Sequence, residues 1–196
     1  MRNNKDLRIL AISGSLRAGS FNTLLLRAAQ EVAPDGMQIE LLNLRGLPLY
    51  NGDVETAGDP ERVTALKNAV READGILLAT PEYNHGTSGA LKNAIDWASR
   101  DRRPGSIAGK PVTAIASGPS GASRAVQQLE PVLLETGGLL MVKPGVLVAM
   151  PWTKFDDLGR LTDEDTREFL RRHLGAFAEW VARVGAHDRV PELQAA

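Results

Sequence analysis

Ser13-Gly14-Ser15-Leu16-Arg17-Ala18-Gly19-Ser20-Phe21-Asn22 is the first stretch of this chain whose residue types could do chemistry. It follows the apolar run Ile9-Leu10-Ala11-Ile12 and precedes helical spacing from Phe21 to Leu26, so it reads as a strand, a turn and a helix start. Backbone N–H groups at a helix start lack internal partners and carry partial positive charge, which makes such a turn an anion site. Ser15, Ser20, Asn22 and Thr23 add neutral donors, and Arg17 adds a planar cation suited to phosphate. The glycines at 14 and 19 have the spacing of the nucleoside-triphosphate loop, but Ser20-Phe21 stands where Lys-Ser/Thr belongs. The dinucleotide pattern G-x-G-x-x-G is absent from this turn. Alone, the turn implies a phosphorylated ligand or an ordinary tight turn.

Stepping outward, strands and helices alternate along the chain. Strands are expected at Leu7–Ser13, Gln38–Leu42, Gly75–Thr80, Lys110–Ala116 and Leu139–Ala149, the last interrupted near Pro144-Gly145. The first helix carries Leu24, Leu25, Ala28, Ala29 and Val32 and ends at Pro34-Asp35-Gly36. A second carries Val63, Leu66 and Val70, with Asp59 as its N-cap and Pro60 as its first residue. A third ends near Ser99, and a fourth runs from Ala122 to Glu135 with Pro131 as a kink or early stop. The last repeats Leu170, Leu174, Phe177, Val181 and Val184, with Thr162 as N-cap before Asp163-Glu164-Asp165. These elements predict one α/β domain over 1–196, a doubly wound five-stranded parallel sheet of order 2-1-3-4-5 with helices on both faces. Such sheets bind ligands beyond the carboxyl ends of their strands, where the loops after strands one, three and four converge.

The loop after the third strand reads Thr80-Pro81-Glu82-Tyr83-Asn84-His85-Gly86-Thr87-Ser88-Gly89-Ala90-Leu91-Lys92-Asn93-Ala94-Ile95-Asp96-Trp97. Together with Gly14-Ser15-Leu16-Arg17 it closely resembles the NADPH-dependent FMN reductases, a family that includes chromate and quinone reductases. The resemblance runs from Leu7 into the last helix. It implies a flavodoxin-like fold that holds FMN non-covalently, with NADPH or NADH as hydride donor and the chemistry at the flavin N5, so that no side chain is expected to be catalytic. Carried over by motif, Ser15, Arg17, Ser20, Phe21 and Asn22 surround the FMN phosphate. Pro81, Glu82, Tyr83 and Asn84 run along the isoalloxazine ring, largely through backbone groups. Ser117 and Gly118 touch the pyrimidine side or the ribityl chain. Gly86 and Ser88 depart from the serine and proline of many relatives, which bears on the substrate side. The resemblance also implies a small-molecule acceptor (a quinone, chromate, azo dye, nitroaromatic or free flavin), ping-pong turnover, and a homodimer or homotetramer.

Other residues carry two readings each. Tyr83 contacts the flavin or simply walls the site. His85 donates a proton to a reduced quinone or is a solvent-facing loop residue. Arg100, Arg102 and Arg103 meet the 2′-phosphate of NADPH or form a solvated basic loop. Arg124 acts between subunits or pairs within the chain, and Tyr50-Asn51-Gly52-Asp53 reaches a neighbour's flavin or forms an ordinary turn. Lys92 and Asp96 have the spacing of a helical ion pair, and Trp97 reads as packing.

Composition removes several classes. A net charge of -1 gives no case for nucleic acid or an anionic membrane, and 43% hydrophobic with 24% charged residues is ordinary for a globular protein. The absence of cysteine excludes disulfides and thiolate chemistry, and nothing clusters as a metal site. No apolar run approaches the roughly 18 residues of a membrane span, and the polar start is unlike a signal peptide, so a cytoplasmic protein is expected. A flavodoxin-like electron carrier, against which the near-neutral charge counts, or an FMN-binding regulatory protein is the alternative. A serine hydrolase is disfavoured because G-x-S-x-G is absent and His173 and His187 sit in or after the last helix.

Overall fold

The computed structural model describes residues 6–100 and 105–185. Strands β1 (Leu7–Ser13), β2 (Met37–Leu42), β3 (Gly75–Thr80), β4 (Pro111–Gly118), β5 (Leu139–Met141) and β6 (Leu147–Ala149) form one parallel sheet. Its order is β2-β1-β3-β4-β5, with β6 also pairing β4, so the expected doubly wound order is observed. The expected fifth strand is two. Residues 142–146 leave the sheet, β5 pairs with Pro111–Thr113, and β6 pairs with Ala116–Gly118. That second pairing carries β4 two residues beyond the expected end, to Gly118.

Alternation along β1 and β3 separates two cores, as a sheet covered on both faces requires. Ile9, Ala11, Leu77 and Ala79 face helices α1 (Phe21–Glu31) and α6 (Glu164–Val184). Leu10, Ile12, Ile76 and Leu78 face α3 (Glu61–Glu72), α4 (Gly89–Ser99) and α5 (Ser123–Glu135). All six residues of β3 are buried, which fits its central place.

Local details correct several expectations. A short helix, α2 (Gly52–Ala57), occupies part of the stretch read as a turn. Pro60 holds the N-cap position of α3 without a side-chain bond, and Asp59 instead accepts from Lys67 Nζ at 2.7 Å. Lys67 is buried, and a buried ammonium needs a carboxylate more than a helix end needs a cap. Asp163, not Thr162, caps α6 by accepting from the Thr166 N–H, while the Thr162 N–H bonds the Lys154 carbonyl. Helix α5 runs through Pro131 to Glu135. The proline removes the bond to Gln127, an exposed residue whose carbonyl water can serve.

Candidate functional site

Three loops meet at the carboxyl ends of β1, β3 and β4, and each is fastened to another by a buried polar contact. Asn22 lies in the first turn of α1, where its amide accepts the Ser117 N–H and donates to the Ser117 carbonyl, both at 2.9 Å. The start of α1 is thereby held against the end of β4. Ser88 caps α4 by accepting the Leu91 N–H at 3.2 Å and donates to the Gly14 carbonyl at 2.5 Å, joining the loop after β3 to the turn after β1. Gly14 must be glycine here. A Cβ at this position would stand 2.9 Å from Ser88 Oγ and 3.1 Å from Leu91 Cβ and Pro81 Cδ.

The turn after β1 keeps the character its residues imply. Ser20 is the N-cap of α1, its hydroxyl accepting the Thr23 N–H at 3.5 Å. Among the described residues the N–H groups of Ser20, Phe21 and Asn22 have no acceptor. Ser15 is buried, and its hydroxyl accepts the Arg17 N–H at 3.4 Å. The Arg17 guanidinium lies 5.8 Å from the Phe21 ring centroid and pairs with no carboxylate among the described residues.

After β3 the chain folds into a tight hairpin closed by reciprocal Tyr83–Gly86 bonds of 2.9 and 3.0 Å. Asn84 and His85 sit at its tip with φ of 50° and 64°. Positive φ at both central residues is what a two-residue hairpin turn of the I′ kind requires, and Asn and His are among the side chains that tolerate it best. The hairpin is held from α5. Gln128 accepts the Thr87 N–H at 2.7 Å, and its side chain lies where a Gly86 Cβ would fall. Glu82 accepts the Arg124 N–H at 3.1 Å and pairs with the Arg124 guanidinium at 3.4 Å. Its carboxylate thus supplies the anionic cap that Ala122, in the N-cap position of α5, cannot. Within the chain, Arg124 thus pairs with Glu82.

Pro81, Glu82, Tyr83 and Asn84 therefore lie on one fastened loop, Ser15 to Asn22 on a second, and Ser117 and Gly118 at the strand end facing both. Ser117 Oγ is buried and has no hydrogen-bond partner among the described residues. Buried hydroxyls are ordinarily paired, so this atom is an exception that a polar ligand would satisfy. An orphaned hydroxyl, unengaged helix-start N–H groups and an uncommitted arginine fit a phosphorylated cofactor bearing polar ring edges.

The remaining candidates divide. His85 and Tyr83 are exposed, while Trp97 is fully buried and donates to the Pro48 carbonyl at 2.8 Å. Lys92 and Asp96 form the expected pair at 2.6 Å. Arg100 donates to Tyr50 Oη at 2.9 Å and lies 3.7 Å from Glu55, so it is already engaged. Arg102, Arg103 and His187 lie outside the described residues. His173 is buried in α6 and bonded to the Pro144 carbonyl at 2.6 Å, on the α6 side of the sheet among structural partners. Gln128 was beyond sequence reasoning because a glutamine on an amphipathic helix carries no signal. Ser88 had one, a serine just before helical spacing. Among the described residues there is no metal-binding cluster, and no helix is long and apolar enough to cross a membrane.

Comparison with known proteins agrees with this geometry. The sequence model of the NADPH-dependent FMN reductase family matches residues 7–153. An NAD(P)H-dependent FMN reductase of Pseudomonas aeruginosa is 42% identical over 182 residues, covering 91% of this chain and 97% of that protein. A quinone reductase of Escherichia coli is 37% identical over 187 residues, covering 92% and 98%. Among solved structures, the flavoenzyme NAD(P)H:(acceptor) oxidoreductase FerB of Paracoccus denitrificans superposes with a TM-score of 0.83 at 35% identity, covering 90% of this chain and 98% of that one.

Proposed function

The chain belongs to the NADPH-dependent FMN reductase family, and from that premise we propose that residues 1–196 form a single domain that binds FMN, oxidises NAD(P)H and reduces a quinone. The observation that carries the reading is the unpaired, buried Ser117 hydroxyl at the meeting point of three loops, the first of which carries helix-start N–H groups with no acceptor among the described residues. Bound FMN supplies the hydride-accepting and hydride-donating centre, which is chemistry no side chain of this protein offers.

The protein's own share is binding, orientation and shape. Ser15, Arg17, Ser20, Phe21 and Asn22 hold the phosphate, the arginine by charge and the helix start by N–H groups. Asn22 also fixes the distance between that anchor and Ser117, whose hydroxyl and the neighbouring Gly118 meet a polar ring edge or the ribityl chain. Pro81 to Asn84 present backbone along the ring. Glu82 acts structurally here, since both its oxygens are taken by Arg124. Tyr83 walls the open side where the nicotinamide and the acceptor take turns. One site shared by two substrates makes parallel lines the expected pattern in two-substrate steady-state kinetics. Intersecting lines would exclude the ping-pong scheme.

Purified protein is expected to be yellow and to bleach when NADPH or NADH is added without oxygen, with colour returning on addition of a quinone. A colourless protein that takes up no FMN would overturn the reading. A yellow protein that neither nucleotide bleaches would make it an electron carrier or regulator. Chromate, azo dyes and free flavin belong in the same acceptor panel, and quinones are expected to be the fastest. The assembly is read as a homodimer or homotetramer, which sedimentation velocity resolves.

A further inference from the structure

Beside the phosphate turn, on its β2 side, lies a second polar groove. It measures about 330 Å³ and is walled by the turn after β1, by Thr23 and Arg27 of α1, and by the segment Leu41–Arg45 leaving β2. Arg17, Arg27 and Arg45 all line it, and among the described residues no acidic one does. Arg45 is aimed by a 2.7 Å bond from its guanidinium to the Leu16 carbonyl, and among the described residues no hydrogen bond or ion pair engages Arg27. Elsewhere Arg8, Arg100, Arg124, Arg160, Arg167 and Arg171 each stand within 3.7 Å of a carboxylate oxygen. Among the described residues, three cations around one cavity thus face no carboxylate, in a protein of net charge -1.

We propose that this groove binds the 2′-phosphate of NADPH, with Arg27 and Arg45 as the residues that favour NADPH over NADH. The inference rests on the reading of the adjacent site as an FMN and NAD(P)H site. The helix start of α1 serves one phosphate, and Arg27, nearly two turns further along the helix, belongs to another. Guanidinium forks match a dianionic phosphomonoester in both charge and geometry, and the two nucleotides differ only in that group. The groove lies over β1 and β2, while the Tyr83 hairpin follows β3, a lateral separation of about 5–10 Å at the usual strand spacing. A dinucleotide with its nicotinamide at the hairpin can reach back across that distance. Arg100, engaged by Tyr50 and Glu55, is less available for the role.

The test uses the FMN-loaded protein, calorimetry with 2′,5′-ADP and 5′-AMP, and steady-state rates with both dinucleotides. The unmodified protein is expected to bind 2′,5′-ADP at least tenfold more tightly than 5′-AMP. Arg27→Ala should erase most of that difference and lower the NADPH-to-NADH ratio of kcat/KM about tenfold through KM. Arg27→Lys should recover part of the loss, and Arg45→Gln should add to it. Equal affinity for the two adenylates, or a ratio unmoved in Arg27→Ala, would overturn the assignment. Inorganic phosphate binding as tightly as 2′,5′-ADP would also overturn it, leaving a free-phosphate site. FMN content, read from the visible spectrum of every variant, separates these outcomes from failure of the underlying reading. A protein without FMN refutes the flavin site, whereas yellow variants with unchanged preference refute only the arginine groove.

Discussion

Both ends of the Asn22 amide go to one residue, and that is why so small a side chain matters. Its oxygen and nitrogen satisfy the N–H and C=O of Ser117, deep between α1 and the end of β4. Asn22→Ala strands two buried backbone groups at once. Each unsatisfied group costs about 1–3 kcal/mol, so the variant is expected to lose about 3 kcal/mol in urea unfolding. It should also bind FMN more weakly, because the helix start and the Ser117 hydroxyl no longer hold their spacing. Unchanged stability would mean that water replaces the amide. The motif placed Asn22 beside the phosphate. Its partner lies 95 residues away, a relation that only the strand order creates.

At the level of elements, helix ends and a broken strand carry the pH response. Burial pushes the His173 imidazole below its ordinary 6.5, with the Pro144 carbonyl opposing weakly, and fastens α6 to the segment between β5 and β6. An unfolded chain takes up this proton near pH 6.5 and the folded one only lower, so the stability from neutral His173 is complete above 6.5. It drains as pH falls below that value. Asp163, at the N-terminus of α6, is held down to about 2 by Lys154 and then by Thr166. Its contribution is complete above 3.8 and is lost as pH falls from there toward about 2. Thermal melts across pH should therefore show two declines. His173→Gln should remove the upper one, and Asp163→Asn the lower. A single decline in the parent protein would refute the assignment. Element spans were largely legible, because burial on both faces makes β3 continuously apolar and the helices keep their period. Caps were less so. Asp59 and Thr162 have the right type in the right place, but a buried Lys67 and the Lys154 carbonyl claim them from outside the local sequence.

Across the whole molecule, the doubly wound order predicts the end of the sheet at which loops converge, and motif residues at 15–22, 81–84 and 117–118 meet there as that topology requires. The fastening of those loops by Ser88, Gln128 and Arg124 was not legible, since it depends on how α4 and α5 pack. The same convergence links ligand to global stability. A ligand bound across β1, β3 and β4 touches only the folded chain. Saturation at about 100 times its Kd adds about 2.7 kcal/mol, or about 5–10 °C in Tm for a chain this long. FMN is expected to give that shift. Riboflavin, which lacks the phosphate, should give a smaller one at equal concentration. Arg17→Ala should bring the FMN shift down toward that of riboflavin and leave the riboflavin shift in place, because the arginine acts on the phosphate alone. Equal shifts for the two flavins in the parent protein would remove the phosphate anchor from the turn after β1 and require the binding energy to come from the ring-facing loops.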